Sequence, residues 1–197
     1  GVRAVVKLTD LPQKQADRYL RALQDFEPHR QLLIKVGGGL LEDKAAVQEL
    51  AEALAELADH GVHTVLVDGG GPQLTKAIEQ EGHETRFVDG VRYTDEATLR
   101  LAKAVFNGIT NNLVQTLGNQ GVKAVSVPAA KLVSVKRNYD FGLCGTEVAG
   151  VDVDEAAAAA REGSVVVLNS LARDADNGDT LNVNSDTVFR GLATELK

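Results

Sequence analysis

Lys35 stands inside the apolar run Leu32-Leu33-Ile34-Lys35-Val36 and directly before Gly37-Gly38-Gly39. A second apolar run, His63-Thr64-Val65-Leu66-Val67, leads through Asp68 into another triple glycine, Gly69-Gly70-Gly71. Glycine after a strand lets backbone approach a ligand, and a helix that follows offers unpaired N–H groups to an anion. A charged lysine in a buried strand is costly unless paired, but at the carboxyl end of a sheet it can reach a phosphate as a point charge. Together these residues suit phosphate binding or stabilisation of a developing oxyanion. The blander reading is that Lys35 snorkels to water from an edge and that the glycines punctuate turns. Neither glycine run has the spacing of a dinucleotide fingerprint, and no Gly-x-x-x-x-Gly-Lys-Ser/Thr loop is present.

The elements that must position these residues alternate along the chain. Leu32–Val36 and His63–Val67 read as buried strands, and Asp43–Asp59, rich in Ala and Leu, as a helix. Pro72 occupies a first helical position, with the helix continuing over Gln73–Glu81. Thr94-Asp95 can cap a long helix running to about Gln120, with a break at Asn107-Gly108. Lys123–Val127 is a strand, Lys131–Val135 and Gly145–Val151 pair as a hairpin, Asp154–Arg161 is helical, and Ser164–Leu168 is a third buried strand. Asp176-Asn177-Gly178-Asp179 marks a turn, and Ser185–Leu196 closes as a helix. Such alternation implies a three-layer αβα sandwich around a mainly parallel sheet. Ahead of it, Leu11–Phe26 carries an amphipathic pattern that Glu27-Pro28 stops. Residues 1–30 are therefore expected to form a helical extension and 31–197 the main domain. The extension either packs on its own domain or joins subunits of a homo-oligomer.

Composition narrows the classes. The chain has 197 residues, 44% hydrophobic and 25% charged, enough to bury an aliphatic core. A net charge of −7 argues against a nucleic-acid partner. No apolar run is long enough for a bilayer and no signal-peptide pattern opens the chain, which points away from a membrane and to a cytosolic or organelle-matrix protein. The single Cys144 leaves no internal disulfide framework and no cysteine metal site.

Four strings then occur in order: Ile34-Lys35-Val36-Gly37-Gly38, Gly69-Gly70-Gly71-Pro72-Gln73, Val88-Asp89-Gly90-Val91-Arg92-Tyr93-Thr94-Asp95 and Leu181-Asn182-Val183-Asn184-Ser185-Asp186. Taken singly, Arg92 reads as a solvated loop arginine, Asn182 as a turn residue and Asp186 as a carboxylate at a helix start. As an ordered set they resemble the amino acid kinase family, and within it the acetylglutamate kinases, from about Gln31 onward. The leading segment Ala16-Asp17-Arg18-Tyr19-Leu20 and the stretch Asn169-Ser170-Leu171-Ala172 are similar to the arginine-sensitive, kinase–synthase fused type.

The resemblance implies phosphorylation of the side-chain carboxylate of N-acetyl-L-glutamate by ATP with Mg²⁺, in arginine biosynthesis. Lys35 would hold the transferring phosphoryl group, Gly38 would offer its N–H nearby, and Asp186 would orient catalytic lysines by ion pairing. Gly70, Gly71, Arg92 and Asn182 would bind the substrate, Arg92 as a two-pronged carboxylate clamp. Arginine would be a possible effector. The family's second catalytic lysine and most of its adenine-binding lobe would lie beyond Lys197. A rival implication is a silent, arginine-sensing and oligomerising domain of an acetylglutamate synthase. One residue departs from the pattern: bacterial relatives usually carry His where this chain has Asp68, and a carboxylate there repels the substrate unless it is turned away or paired.

Overall fold

The computed structural model describes residues 4–8, 31–152, 154–155, 158–159 and 163–195. Five parallel strands form the central sheet in the order β1-β2-β3-β9-β6. They are β1 (Ala4–Leu8), β2 (Gln31–Val36), β3 (His63–Asp68), β6 (Ala124–Val127) and β9 (Val165–Leu168). The near-continuous burial of β2, β3 and β9 is what parallel strands covered on both faces require. β1 extends the sheet beside β2, an element that no sequence signal singled out. The amphipathic segment Leu11–Phe26 lies outside the described residues.

Alternate residues of each strand face opposite layers. Leu32, Ile34, Val36, Leu66, Val165 and Val167 pack on α2 (Lys44–Asp59) and α4 (Glu96–Asn119) through Leu50, Leu54, Leu113 and Leu117. On the other face Leu33, Val65, Val67 and Leu168 meet Val188, Phe189 and Leu192 of α6 (Ser185–Glu195). The three-layer αβα reading therefore holds. Asp43 caps α2 by accepting from Ala45 N and Ala46 N, and Asp95 caps α4 by accepting from Thr98 N. The long helix α4 runs from Glu96 to Asn119 without a break at Asn107-Gly108, where the flanking Phe106 and Thr110 are both buried.

A small closed barrel sits beyond the sheet, made by β7 (Val133–Arg137), β8 (Cys144–Val151), β10 (Leu171–Asp174) and β11 (Thr180–Val183). β7 and β8 are the expected antiparallel hairpin, although Lys131 and Leu132 belong instead to the short helix α5 (Ala129–Leu132). The barrel closes because β10 runs parallel to β7 while β11 runs parallel to β8. Asp154, Glu155, Ala158 and Ala159 are helical, as the pattern of that segment suggested.

The Thr98 N–H holds the Asp95 carboxyl below its ordinary value. Asp95→Ala is expected to lower stability by about 1 kcal/mol in urea unfolding at neutral pH. A lowered carboxyl contributes stability above its unfolded pKa and loses it as pH falls through the folded one. The wild type and the variant should thus converge in strong acid, and a constant gap across pH would contradict the capping role.

Candidate functional site

β2 and β3 pair in register, Lys35 beside Val67 and Val36 beside Asp68, so the two glycine runs leave the sheet at the same level. Gly69 N donates to Val36 O at 2.9 Å, which ties the second run to the end of the first strand. The first run opens α1 (Gly38–Glu42) and the second opens α3 (Gly71–Gln80), with Pro72 in its first turn. No side chain caps α3, so its leading N–H groups point out of the helix end. Glycine is required at two places by close approach. A Cβ on Gly38 would stand 2.7 Å from Gln73 Oε1 and 2.8 Å from Pro72 Cδ, and one on Gly70 would stand 2.6 Å from Phe106 Cδ1. Gly71 faces open space.

Lys35 is 6% exposed, and its Nζ donates to Asp186 Oδ2 at 3.1 Å. Lys35 lies on the sheet face that α6 covers, and Asp186 sits in the first turn of α6. A carboxylate there is stabilised by the helix end and balances the buried ammonium. The neighbouring Ser185 also closes on the second run, its Oγ 3.0 Å from where a Cβ on Gly69 would be. Gln73 clamps the two runs together by donating its Nε2 proton to Gly38 O at 2.7 Å.

Arg92 reaches this cluster from a two-residue hairpin, β4 (Phe87–Val88) and β5 (Val91–Arg92). Asp89 and Gly90 at its tip have φ of 49° and 78°, the left-handed pair that a tight hairpin needs. Nη2 of Arg92 donates to Gly71 O at 3.0 Å and to Thr75 Oγ1 at 2.8 Å, and the guanidinium stacks on the Phe87 ring at 4.8 Å. Burial lowers its pKa from the ordinary value. Asn182, on β11 and 6% exposed, donates from Nδ2 to Thr94 Oγ1 at 3.0 Å, and Thr94 in turn donates to Arg92 O at 3.2 Å. Of the seven candidates, Lys35 thus meets Asp186, Gly38 is tied to α3 through Gln73, and Arg92, joined to Asn182 through Thr94, reaches Gly71 beside Gly70.

Asp68 turns away from that cluster. It is fully buried, with Thr110 Oγ1 2.7 Å from its Oδ2, so it points toward α4. Burial pushes its carboxyl up to about 7, against the lowering effect of the Thr110 hydroxyl. Sequence reasoning singled out neither Thr110 nor the linking roles of Gln73, Thr75 and Thr94. Only the Asp89-Gly90 dipeptide was a readable signal for the missed hairpin.

Residues 30–197 match the model of the amino acid kinase family. The chain belongs to the amino acid kinase family. An acetylglutamate kinase of Zymomonas mobilis is 34% identical over 182 residues, covering 84% of this chain and 60% of that protein. The mitochondrial protein arg-6 of Neurospora crassa is 35% identical over 185 residues, covering 93% of this chain and 21% of that one. The chain therefore spans less than two thirds of the length of either relative. Among solved structures, an N-acetylglutamate synthase of Neisseria gonorrhoeae shares the fold, with a TM-score of 0.70, 20% identity, and coverage of 92% of this chain and 41% of that one. In this family member the strand lysine and the α6 carboxylate pair at 3.1 Å, and Ser185 beside that carboxylate closes on the second triple glycine.

Adding a methyl group tests how tightly the second run is packed. Gly70→Ala is expected to cost about 1–3 kcal/mol in thermal or urea unfolding because its Cβ collides with the Phe106 ring. Gly71→Ala should stay within about 0.5 kcal/mol of the wild type. Equal effects at the two positions would contradict the described loop.

Proposed function

We propose that this chain forms the acetylglutamate-binding and phosphoryl-transfer part of an ATP-dependent kinase, one that phosphorylates the side-chain carboxylate of N-acetyl-L-glutamate in arginine biosynthesis. The observation that carries the reading is the Lys35–Asp186 ion pair beside two touching glycine loops. It is supported by the Zymomonas mobilis relative, which is named an acetylglutamate kinase.

In this reading the substrate carboxylate attacks the γ-phosphorus of ATP. A carboxylate–phosphorus bond forms as the bond to the β-phosphate oxygen breaks, and ADP leaves with the electron pair. Little covalent help is needed from protein; positioning and charge neutralisation do the work. Lys35 carries a fixed positive charge to the transferring group, held in direction by Asp186. The N–H of Gly38 faces the same group, while Gly70 and Gly71 hold the attacking carboxylate. Arg92 and Asn182 grip the remainder of the substrate, through donors beyond those that fix them to α3 and Thr94. ATP is the second substrate. The donor set is one lysine and backbone N–H groups, which fits phosphate anions. Among the described residues no group of three or more His, Cys, Asp or Glu could hold a metal ion, so Mg²⁺ would enter on the nucleotide and add charge neutralisation there.

The rival reading, a silent arginine-sensing domain, gives no reason to keep Lys35 paired at the mouth of the loops. Calorimetry separates the two. N-acetyl-L-glutamate should bind, with free glutamate weaker. In a protein that also carries the family's nucleotide lobe, Lys35→Ala should lower turnover roughly a hundredfold or more with a much smaller change in acetylglutamate affinity. Binding of arginine without binding of acetylglutamate, or turnover unchanged by Lys35→Ala, would overturn the proposal.

A further inference from the structure

Asp68 ends β3 immediately before the second glycine run, yet it is not a partner in the hydrogen bonds of Lys35 with Asp186, Gln73 with Gly38 or Arg92 with Gly71. Its surroundings are short of protons to share. Thr110 Oγ1 lies 2.7 Å from Asp68 Oδ2 and 2.9 Å from the carbonyl oxygen of Phe106, one turn earlier on α4. Both neighbours would be acceptors if Asp68 were ionised. A threonine hydroxyl has a single hydrogen, so it cannot satisfy both. If the carboxyl instead carries a proton, Asp68 donates to Thr110, and Thr110 donates to Phe106 O as threonines in helices commonly do. Every contact is then made. The other carboxyl oxygen, Oδ1, is buried and has no hydrogen-bond partner. An unpartnered oxygen costs far less on a neutral acid than on a carboxylate.

We propose that Asp68 is a positioning residue that carries a proton in the folded protein and, as a neutral acid, ties the end of β3 to α4 and so seats the second glycine run. The seating follows from what surrounds the tie. A Cβ on Gly70 would meet Phe106 and Ile109, so the loop rests on the turn of α4 that ends at Thr110. The protonated acid also places no negative charge behind a loop that has to receive one.

Among the described residues no counter-charge acts on the ionised form. The Asp68 carboxyl is acted on by burial and by Thr110. Its neighbour on β2 is Val36, and Lys35, on the opposite face, is paired with Asp186. On α4 the contact to Asp68 is made by Thr110, and the turn Phe106-Asn107-Gly108-Ile109-Thr110 carries no titratable side chain. A carboxyl raised to about 7 contributes stability fully below its unfolded pKa, and that contribution is lost as pH rises toward 7.

The tie between β3 and α4 stands on geometry alone, while its value for substrate binding rests on the kinase reading. The experiment separates the two. In the wild-type chain labelled with ¹³C at aspartate carboxyls, one carbon, assigned by its loss in Asp68→Asn, should titrate near pH 7. Wild-type thermal stability should fall between about pH 4 and pH 7, and Asp68→Asn, neutral throughout and still able to donate to Thr110, should lack that fall. Acetylglutamate affinity should be kept in Asp68→Asn and weakened severalfold in Asp68→Leu, which has no donor. A carboxyl titrating below about pH 5, or a stability profile identical in wild type and Asp68→Asn, overturns the proton on Asp68. Equal affinities in the Asn and Leu variants overturn the seating role. A chain that binds no acetylglutamate at any pH while Asp68 titrates near 7 overturns the kinase reading and leaves the proton in place.

Discussion

An ammonium group at the end of a buried strand has to be paired, and the rest of this site is arranged around the place where Lys35 finds its partner. The register of β2 and β3 fixes that place, since it ends both strands at one level and puts two glycine runs side by side. α6 is then held with its first turn against them, because Val188, Phe189 and Leu192 bury on the same sheet face as Leu33 and Val67. Asp186 arrives at Lys35 as a consequence of that packing. The pair holds a positive charge in place beside the two glycine runs, an arrangement suited to a phosphoryl group and poorly suited to a cation.

The opposite wall depends on a different kind of link. Asn182 comes from the small barrel, Thr94 from the start of α4 and Arg92 from a hairpin, and side-chain hydrogen bonds join them in series. Arg92 then reaches Gly71 O, so the barrel is coupled to the glycine run through three residues. A shift of β11 relative to the sheet would move the guanidinium that faces the loop. Gln73 performs the same service between the two glycine runs, donating to Gly38 O from the first turn of α3.

Much of this was legible in the chain itself. Long apolar strands and the Ala/Leu-rich helix have one interpretation each, and a lysine inside such a strand announces a paired or liganding charge. The ordered strings around Lys35, Gly70, Arg92 and Asp186 supplied the rest by resemblance. Less legible were β10 and β11, four residues each, whose pairing is settled by closure of the barrel. Taken singly, Asn182 reads as a turn residue, and of the Thr94-Asp95 pair expected to cap α4 it is Asp95 that caps while Thr94 joins Asn182. The orientation of Asp68 could not be read either. Strand alternation puts it on the face of Leu66, but only the packing of α4 shows a hydroxyl waiting there.

The dependence of the site on the Lys35–Asp186 pair is open to direct measurement by a double-mutant cycle. Unfolding free energies of the wild type, Lys35→Met, Asp186→Asn and the double variant give the coupling between the two side chains. The account predicts that each single variant is destabilised by leaving a charge without its partner, and that the double variant recovers part of the loss. The coupling should then exceed about 1 kcal/mol. Strictly additive effects would mean that the two charges do not depend on one another, and the account of this site would be wrong.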